Sequence, residues 1–296
     1  NEEGSGVNKS FYQVLDFDGE NWYANGDKGF FYDNFNTDLA THWTTLSGNW
    51  SIENGSLKQS NEAITNPNIY TLVNQSSNNS YLYHWQMKIS GSGANRRAGI
   101  FFYCSEPSAT YRGDAYMVYF RVETNKIELY KASNGTISGI LKEETATINA
   151  DTWMDIKIVY EGQNGDINIF INNEHKLYWR DSSPLNSGSG ISFRTGNCIA
   201  EYDDFKVYKS RGEEVMISTG LDSDKEIRYE SINSNQEAGR VKTLCIDNAK
   251  NWSEIAVQNI FTDFTKPSTN INIENEWQTG DFLAQNTGSL LRNPLQ

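Results

Sequence analysis

Along most of this chain, apolar and polar residues alternate with period two, and no stretch of a dozen residues sustains the i, i+3, i+4, i+7 stripe of an amphipathic helix. The pattern predicts strands at 29–36, 49–59, 69–73, 81–89, 98–104, 115–123 and 126–131, and again at 153–160, 166–171, 175–179, 190–195 and 199–208. Asn54-Gly55, between two alternating segments, is a strong two-residue hairpin signal. A dozen strands without crossover helices cannot form a parallel sheet, so two antiparallel sheets packed face to face are expected.

Alternation also assigns faces. In 115–123 one face carries Tyr116, Val118, Phe120 and Val122 and reads as core, while the other carries Met117, Tyr119, Arg121 and Glu123. His84, Gln86 and Lys88 alternate against Tyr83, Trp85, Met87 and Ile89, and Glu128 and Tyr130 against Ile127 and Leu129. If these polar faces share one sheet they form a groove floor. Tyr119 could stack on a sugar ring there while Arg121 hydrogen-bonds its hydroxyls or a carboxylate; the plainer alternative is a solvated face with cross-strand pairs such as Arg121–Glu128.

Composition narrows the class. The 296 residues include 34 Asn, 13% aromatics, 25 basic and 38 acidic side chains, for a net charge of −13. Disorder pairs polarity with few aromatics, so this chain is expected to fold, as a turn-rich, secreted or cell-surface protein. The charge argues against nucleic acid, whose binding depends on Lys and Arg neutralising phosphates. No apolar run approaches the roughly 20 residues needed to span a bilayer. Cys104, Cys198 and Cys245 lack metal-site spacing and read as small buried hydrophobes with at most one bridge.

A charged stretch at Ser210–Glu214 marks a boundary. It divides the chain into an N-terminal extension (1–28), a main sandwich (29–210), a smaller β region (211–267) with strands expected at 214–218, 225–232, 240–246 and 253–261, and a polar tail or linker (268–296). Four strands are few for an independent sandwich, so either residues 11–24 pack onto this region or it is half of a unit completed elsewhere.

The segments FFYDNFN, HWTTLSGNWSIENGSLKQ, RRAGIFFYC, YMVYFRVETNKIELYK, TWMDIKIVYEGQNGDINIFINN, SGSGISFRTGN and AEYDDFKVY resemble the concanavalin A-like, laminin-G-type jelly roll. The later RVKTLCIDNAKNWSEIAVQNIFTDFTKP resembles the end of bacterial immunoglobulin-like or fibronectin-III-like modules. Such pairs form accessory regions of bacterial surface or secreted polysaccharide-acting proteins, including xanthan-lyase-like ones, so the resemblance implies a larger parent protein. It also implies that the first and last sandwich strands pair. Asp33 and Asn34 would then meet Asp203 and Asp204, hard oxygen donors suited to a structural calcium ion.

The function expected is a non-catalytic carbohydrate-binding or adhesion module. Candidate ligand-binding residues are His84, Arg96, Arg97, Tyr111, Arg112, Tyr119, Arg121 and Tyr130, the arginines suiting an anionic polysaccharide or glycan. A structural or protein-interaction spacer is the alternative, and it expects a groove without an exposed aromatic. An enzyme comes third, because no row of alternating carboxylates occurs; a hydrolase or lyase would need an acidic pair that strand spacing hides. His42, His84 and His175 are far apart and accompany no nucleophile motif, and Trp22, Trp43, Trp50, Trp153 and Trp179 are expected to seal the core.

Overall fold

A computed structural model describes residues 5–17, 22–24, 26, 29–210 and 238–261. It is an all-β jelly-roll sandwich of two antiparallel sheets. Sheet B, with seven strands, runs in the order β12 (Thr136–Thr145), β11 (Lys126–Ser133), β10 (Ala115–Arg121), β9 (Arg97–Cys104), β16 (Ser187–Gly196), β7 (Asn68–Ser76), β4 (Thr44–Ser47). Sheet A has the spine β15 (Glu174–Arg180), β14 (Asp166–Ile171), β13 (Met154–Glu161), β8 (Ser80–Ser90), β17 (Ile199–Ser210), β1 (Val7–Phe17), β18 (Ala238–Asp247), β19 (Ala256–Phe261). Four short strands join it from the side: β2 (Trp22–Ala24), β3 (Phe31–Asp33), β5 (Trp50–Glu53) and β6 (Ser56–Gln59).

The faces expected to be core are core. Tyr116, Val118 and Phe120 of β10 meet Tyr83, Trp85, Met87 and Ile89 of β8 in one buried cluster between the sheets. Period-two alternation therefore turns the intervening polar residues of β8 and β10 outward, but onto opposite outer faces of the sandwich. The 49–59 segment folds as the β5–β6 hairpin, with Asn54 (φ 54°) and Gly55 (φ 74°) in the left-handed conformations a type I′ turn needs. Trp43 is buried in the core and Trp50 and Trp179 pack against it, whereas Trp153 is partly exposed beneath Lys88 and Trp22 lies outside the core.

First and last sandwich strands do pair: β3 lies along β17, with Phe205 opposite Asp33. β1 pairs along nearly its whole length with β18, so part of residues 11–24 packs onto the region after 210. This arm folds over the outer face of sheet A, where Phe11, Leu244 and Ile246 cover Leu82, Val159, Phe170 and Tyr208, and Trp252 packs against the set. Of the later region, 214–218, 225–232 and the tail 268–296 lie outside the described residues; the 240–246 and 253–261 strands are seen as β18 and β19, which continue sheet A through β1. All three cysteines are free, Cys104 and Cys198 buried and Cys245 half-buried. Among the described residues no helix is long and apolar enough to cross a membrane.

Candidate functional site

The outer face of sheet B gathers most of the expected ligand residues. Antiparallel register places Arg97 beside Arg121, Gly99 beside Tyr119 and Phe101 beside Met117 on β9 and β10, and sets Glu128 and Tyr130 opposite Tyr119 and Met117 on β11. From the other side β16 adds Arg194, opposite Gly99, a residue that sequence reasoning missed. Phe101, Met117, Tyr119, Tyr130 and Ala132 form a small apolar layer of their own.

Guanidinium groups carpet that layer. Arg97 and Arg121 lie 5.6 and 5.7 Å from the Tyr119 ring centroid, and Arg194 lies 5.0 Å from the Tyr111 ring and 6.0 Å from Tyr119. Arg112, carried by the short turn Thr110–Arg112, stacks 5.8 Å from Phe101. Cations of this kind favour ring faces because of the aromatic quadrupole. The Tyr119 ring, expected to offer a sugar platform, is only 4% exposed, because the arginines occupy it.

The charges here do not balance. Arg121 donates to Glu128 (2.5 Å), the cross-strand pair anticipated as the plain alternative, and Tyr130 donates to the same carboxylate oxygen. Burial and that bond push the Tyr130 hydroxyl up to about 12. Arg97 donates to the Asn95 and Thr65 carbonyls (both 3.1 Å), Arg112 to those of Pro107 and Ala109, and Arg194 to the Asn66 side chain (2.5 Å). None of these three has a carboxylate partner among the described residues. Burial, with Arg194 nearby, lowers the Arg112 pKa. Burial raises the Tyr119 hydroxyl, against the pull of Arg194 and Arg97. The Nε atoms of Arg112 and Arg194 are buried without a hydrogen-bond partner among the described residues. Orphaned buried polar atoms are costly, so their convergence on one face is informative.

Two expected members stand elsewhere. His84 is on sheet A, because β8 and β10 belong to different sheets, and the groove floor shared by their polar faces does not form. There His84 and Gln86 bind the Asp155 carboxylate (2.5 and 2.8 Å), together with Lys157. Arg96 is at the rim of sheet B and is engaged by Glu123 (2.7 Å) and the Gly91 carbonyl (2.7 Å).

The proposed calcium ligands come near one another without forming a cluster. Asp33 accepts from the Phe35 amide (2.7 Å), Trp43 Nε1 (2.8 Å) and His42 Nδ1 (3.3 Å), facing inward. Asn34 accepts from the Asn36 amide, Asp203 from the Asp204 amide (2.6 Å), and Asp204 from Lys206. Among the described residues no group of three His, Cys, Asp or Glu side chains could hold a metal ion.

An acidic pair hidden by spacing does exist on sheet B. Glu128 and Glu143 are register partners on β11 and β12, which puts their Cβ atoms about 5 Å apart on one face. Each is tied to a cation, Glu128 to Arg121 and Glu143 to Lys126 (2.6 Å).

A galectin-like-fold protein of unknown function from Bacillus subtilis is 16% identical, with a TM-score of 0.48 over 61% of this chain and 95% of its own. Carbohydrate binding module CBM66 from Bacillus subtilis is 14% identical (TM-score 0.47, 55% and 93%), and a Bacillus licheniformis beta-glucanase 14% identical (TM-score 0.46, 61% and 97%). No curated protein matches the sequence. The family model of the 3-keto-alpha-glucoside-1,2-lyase-like domain matches residues 15–208.

Proposed function

Since the chain belongs to the 3-keto-alpha-glucoside-1,2-lyase-like domain family, we propose that it is a secreted or surface-displayed carbohydrate-binding protein whose site is the basic outer face of sheet B. One observation carries this reading: Arg97, Arg112 and Arg194 converge there with no carboxylate partner among the described residues, in a chain whose net charge is −13. Recognition runs through charge-assisted hydrogen bonds from guanidinium forks rather than through ring stacking, since Tyr119 is already covered. A sugar bearing a carboxylate or a cluster of hydroxyl acceptors would meet first the half-buried Arg97, the most accessible of the three.

Affinity gels and a glycan array test this, with Arg194→Met and Arg97→Met as controls. Retention on at least one polysaccharide, lost in both variants, is expected. Binding untouched by either substitution would overturn the assignment.

A second reading, catalysis, is favoured by Glu128, a buried carboxylate held between Arg121 and Tyr130 beside Glu143. Beside a sugar ketone, a carboxylate can take the proton next to the carbonyl while neighbouring guanidinium groups hold the enolate oxygen. Release of aglycone from a 3-ketoglucoside, abolished by Glu128→Gln, is its signature; no release from such substrates removes it.

A further inference from the structure

Away from sheet B, a cavity of about 380 Å³ opens where the β1–β2–β18 arm meets the jelly roll. Its walls come from three sources: Trp22 and Tyr23 of β2, Arg240 and Lys242 of β18, and Tyr32, Asp33 and His42 from β3 and the turn after it. Arg240 and Lys242 stand beyond the last residue matched by the family model.

Both cations are held in place by rings. The Arg240 guanidinium lies 4.0 Å from the Trp22 ring centroid and the Lys242 ammonium 4.5 Å from that of Tyr32. Arg240 donates to the Asn259 side chain (2.9 Å), and neither cation has a carboxylate within ion-pair distance among the described residues. Among the described residues, the acidic groups Asp33 and Asp204 nearby are already engaged. Asp33 accepts from three donors of the sandwich, and Asp204 holds Lys206. Burial, together with the Lys206 and Arg240 charges, brings Lys242 down to about 8, with Asp204 opposing. Two positive charges held by rings therefore face a sugar-sized space whose described acidic neighbours, Asp33 and Asp204, already have donors of their own.

We propose that this cavity binds a carboxylate-bearing sugar, a hexuronate unit, with Arg240 and Lys242 gripping the carboxylate. The neighbouring cavity of about 360 Å³ shares Tyr23, Tyr32, Thr41 and His42, so the next unit of a chain would continue past Trp43 and Tyr70. This inference does not depend on the sheet B reading.

Titration calorimetry with methyl glucuronide, methyl glucoside and inorganic phosphate separates the possibilities. Glucuronide is expected to bind and glucoside not. Arg240→Met and Lys242→Met should each weaken the cavity site at least tenfold, and Lys242→Arg should retain it. The Arg194→Met variant keeps this site, so loss of glucuronide binding there and not in the Arg240 and Lys242 variants would assign it to sheet B and overturn the proposal. Phosphate binding that depends on Arg240 and Lys242, without glucuronide binding, would overturn the sugar and leave a site for a free oxyanion. No binding of either anion would remove the site.

Discussion

The Asp155 network on sheet A and the arginine layer on sheet B treat their charges differently. On sheet A, His84 and Lys157 share Asp155, Lys206 holds Asp204, Lys88 holds Glu201 (2.8 Å) and Lys9 holds Glu161 (3.0 Å). On sheet B, three of the four arginines over the Phe101–Tyr119 layer hold no acid among the described residues, and two keep an orphaned Nε. Around Asp155 the charges of sheet A are closed within the protein, whereas Arg240 and Lys242 on its β18 extension are not. An unpaired group leaves a positive potential, and that contrast, rather than the count of charges, is what the proposed binding face rests on.

The sharpest way to break the contrast is to unpair sheet A. Asp155→Ala should leave the buried Lys157 and His84 without their shared acid and cost about 3–5 kcal/mol, read by urea unfolding, with carbohydrate binding intact. A cost under about 1 kcal/mol would mean the sheet A network is ornamental.

Acid titration probes the same group. Burial alone would raise the Asp155 pKa, but hydrogen bonds from His84 and the charge of Lys157 bring it down to about 2. With a folded value below the ordinary 3.8, the unfolded chain takes up the proton first. The carboxylate's contribution, about 2 kcal/mol at 1.36 kcal/mol per pH unit, is therefore present above pH 4 and is lost as pH falls toward 2. Asp155→Asn should flatten that part of the stability profile; an unchanged slope would assign it to other groups.

Arg194→Met reverses the logic. Removing a buried cation with an unsatisfied Nε should leave stability within about 1 kcal/mol of the parent, while affinity for the retained polysaccharide falls at least tenfold, about 1.4 kcal/mol. A large loss of stability would make the arginine a scaffold element instead. The smallest effect belongs to Glu128→Gln, which removes the buried carboxylate of that face and should tighten an anionic sugar about threefold, roughly 0.6 kcal/mol. Weaker binding would show that Glu128 itself receives sugar hydroxyls.

Local pattern reached far in this chain. Alternation in 115–123 separated Tyr116, Val118 and Phe120 from Met117, Tyr119 and Arg121, and the pairing of Arg121 with Glu128 follows from one hairpin. Strand β12 escaped because Gly139 (φ 147°) and two register shifts break its alternation. Sheet membership escaped for a deeper reason. Whether His84 and Tyr119 share a face depends on β9 pairing with β16 about ninety residues away, and no residue near either position encodes that partner. Arg194 was invisible for the same reason: only that pairing lays it over Tyr111 and Tyr119. Tyr119 itself was placed on the right face, and its burial came from arginines on three strands.

The pairing of β1 with both β17 and β18 also sets an order of events in synthesis. Val7 lies opposite Asp247, so the first described strand emerges from the ribosome some two hundred residues before its main partner. Contacts of such sequence separation form late, and the Phe11 and Trp252 seal over Phe170 waits on them. Until then the β1 edge is an open strand, free to pair with another chain.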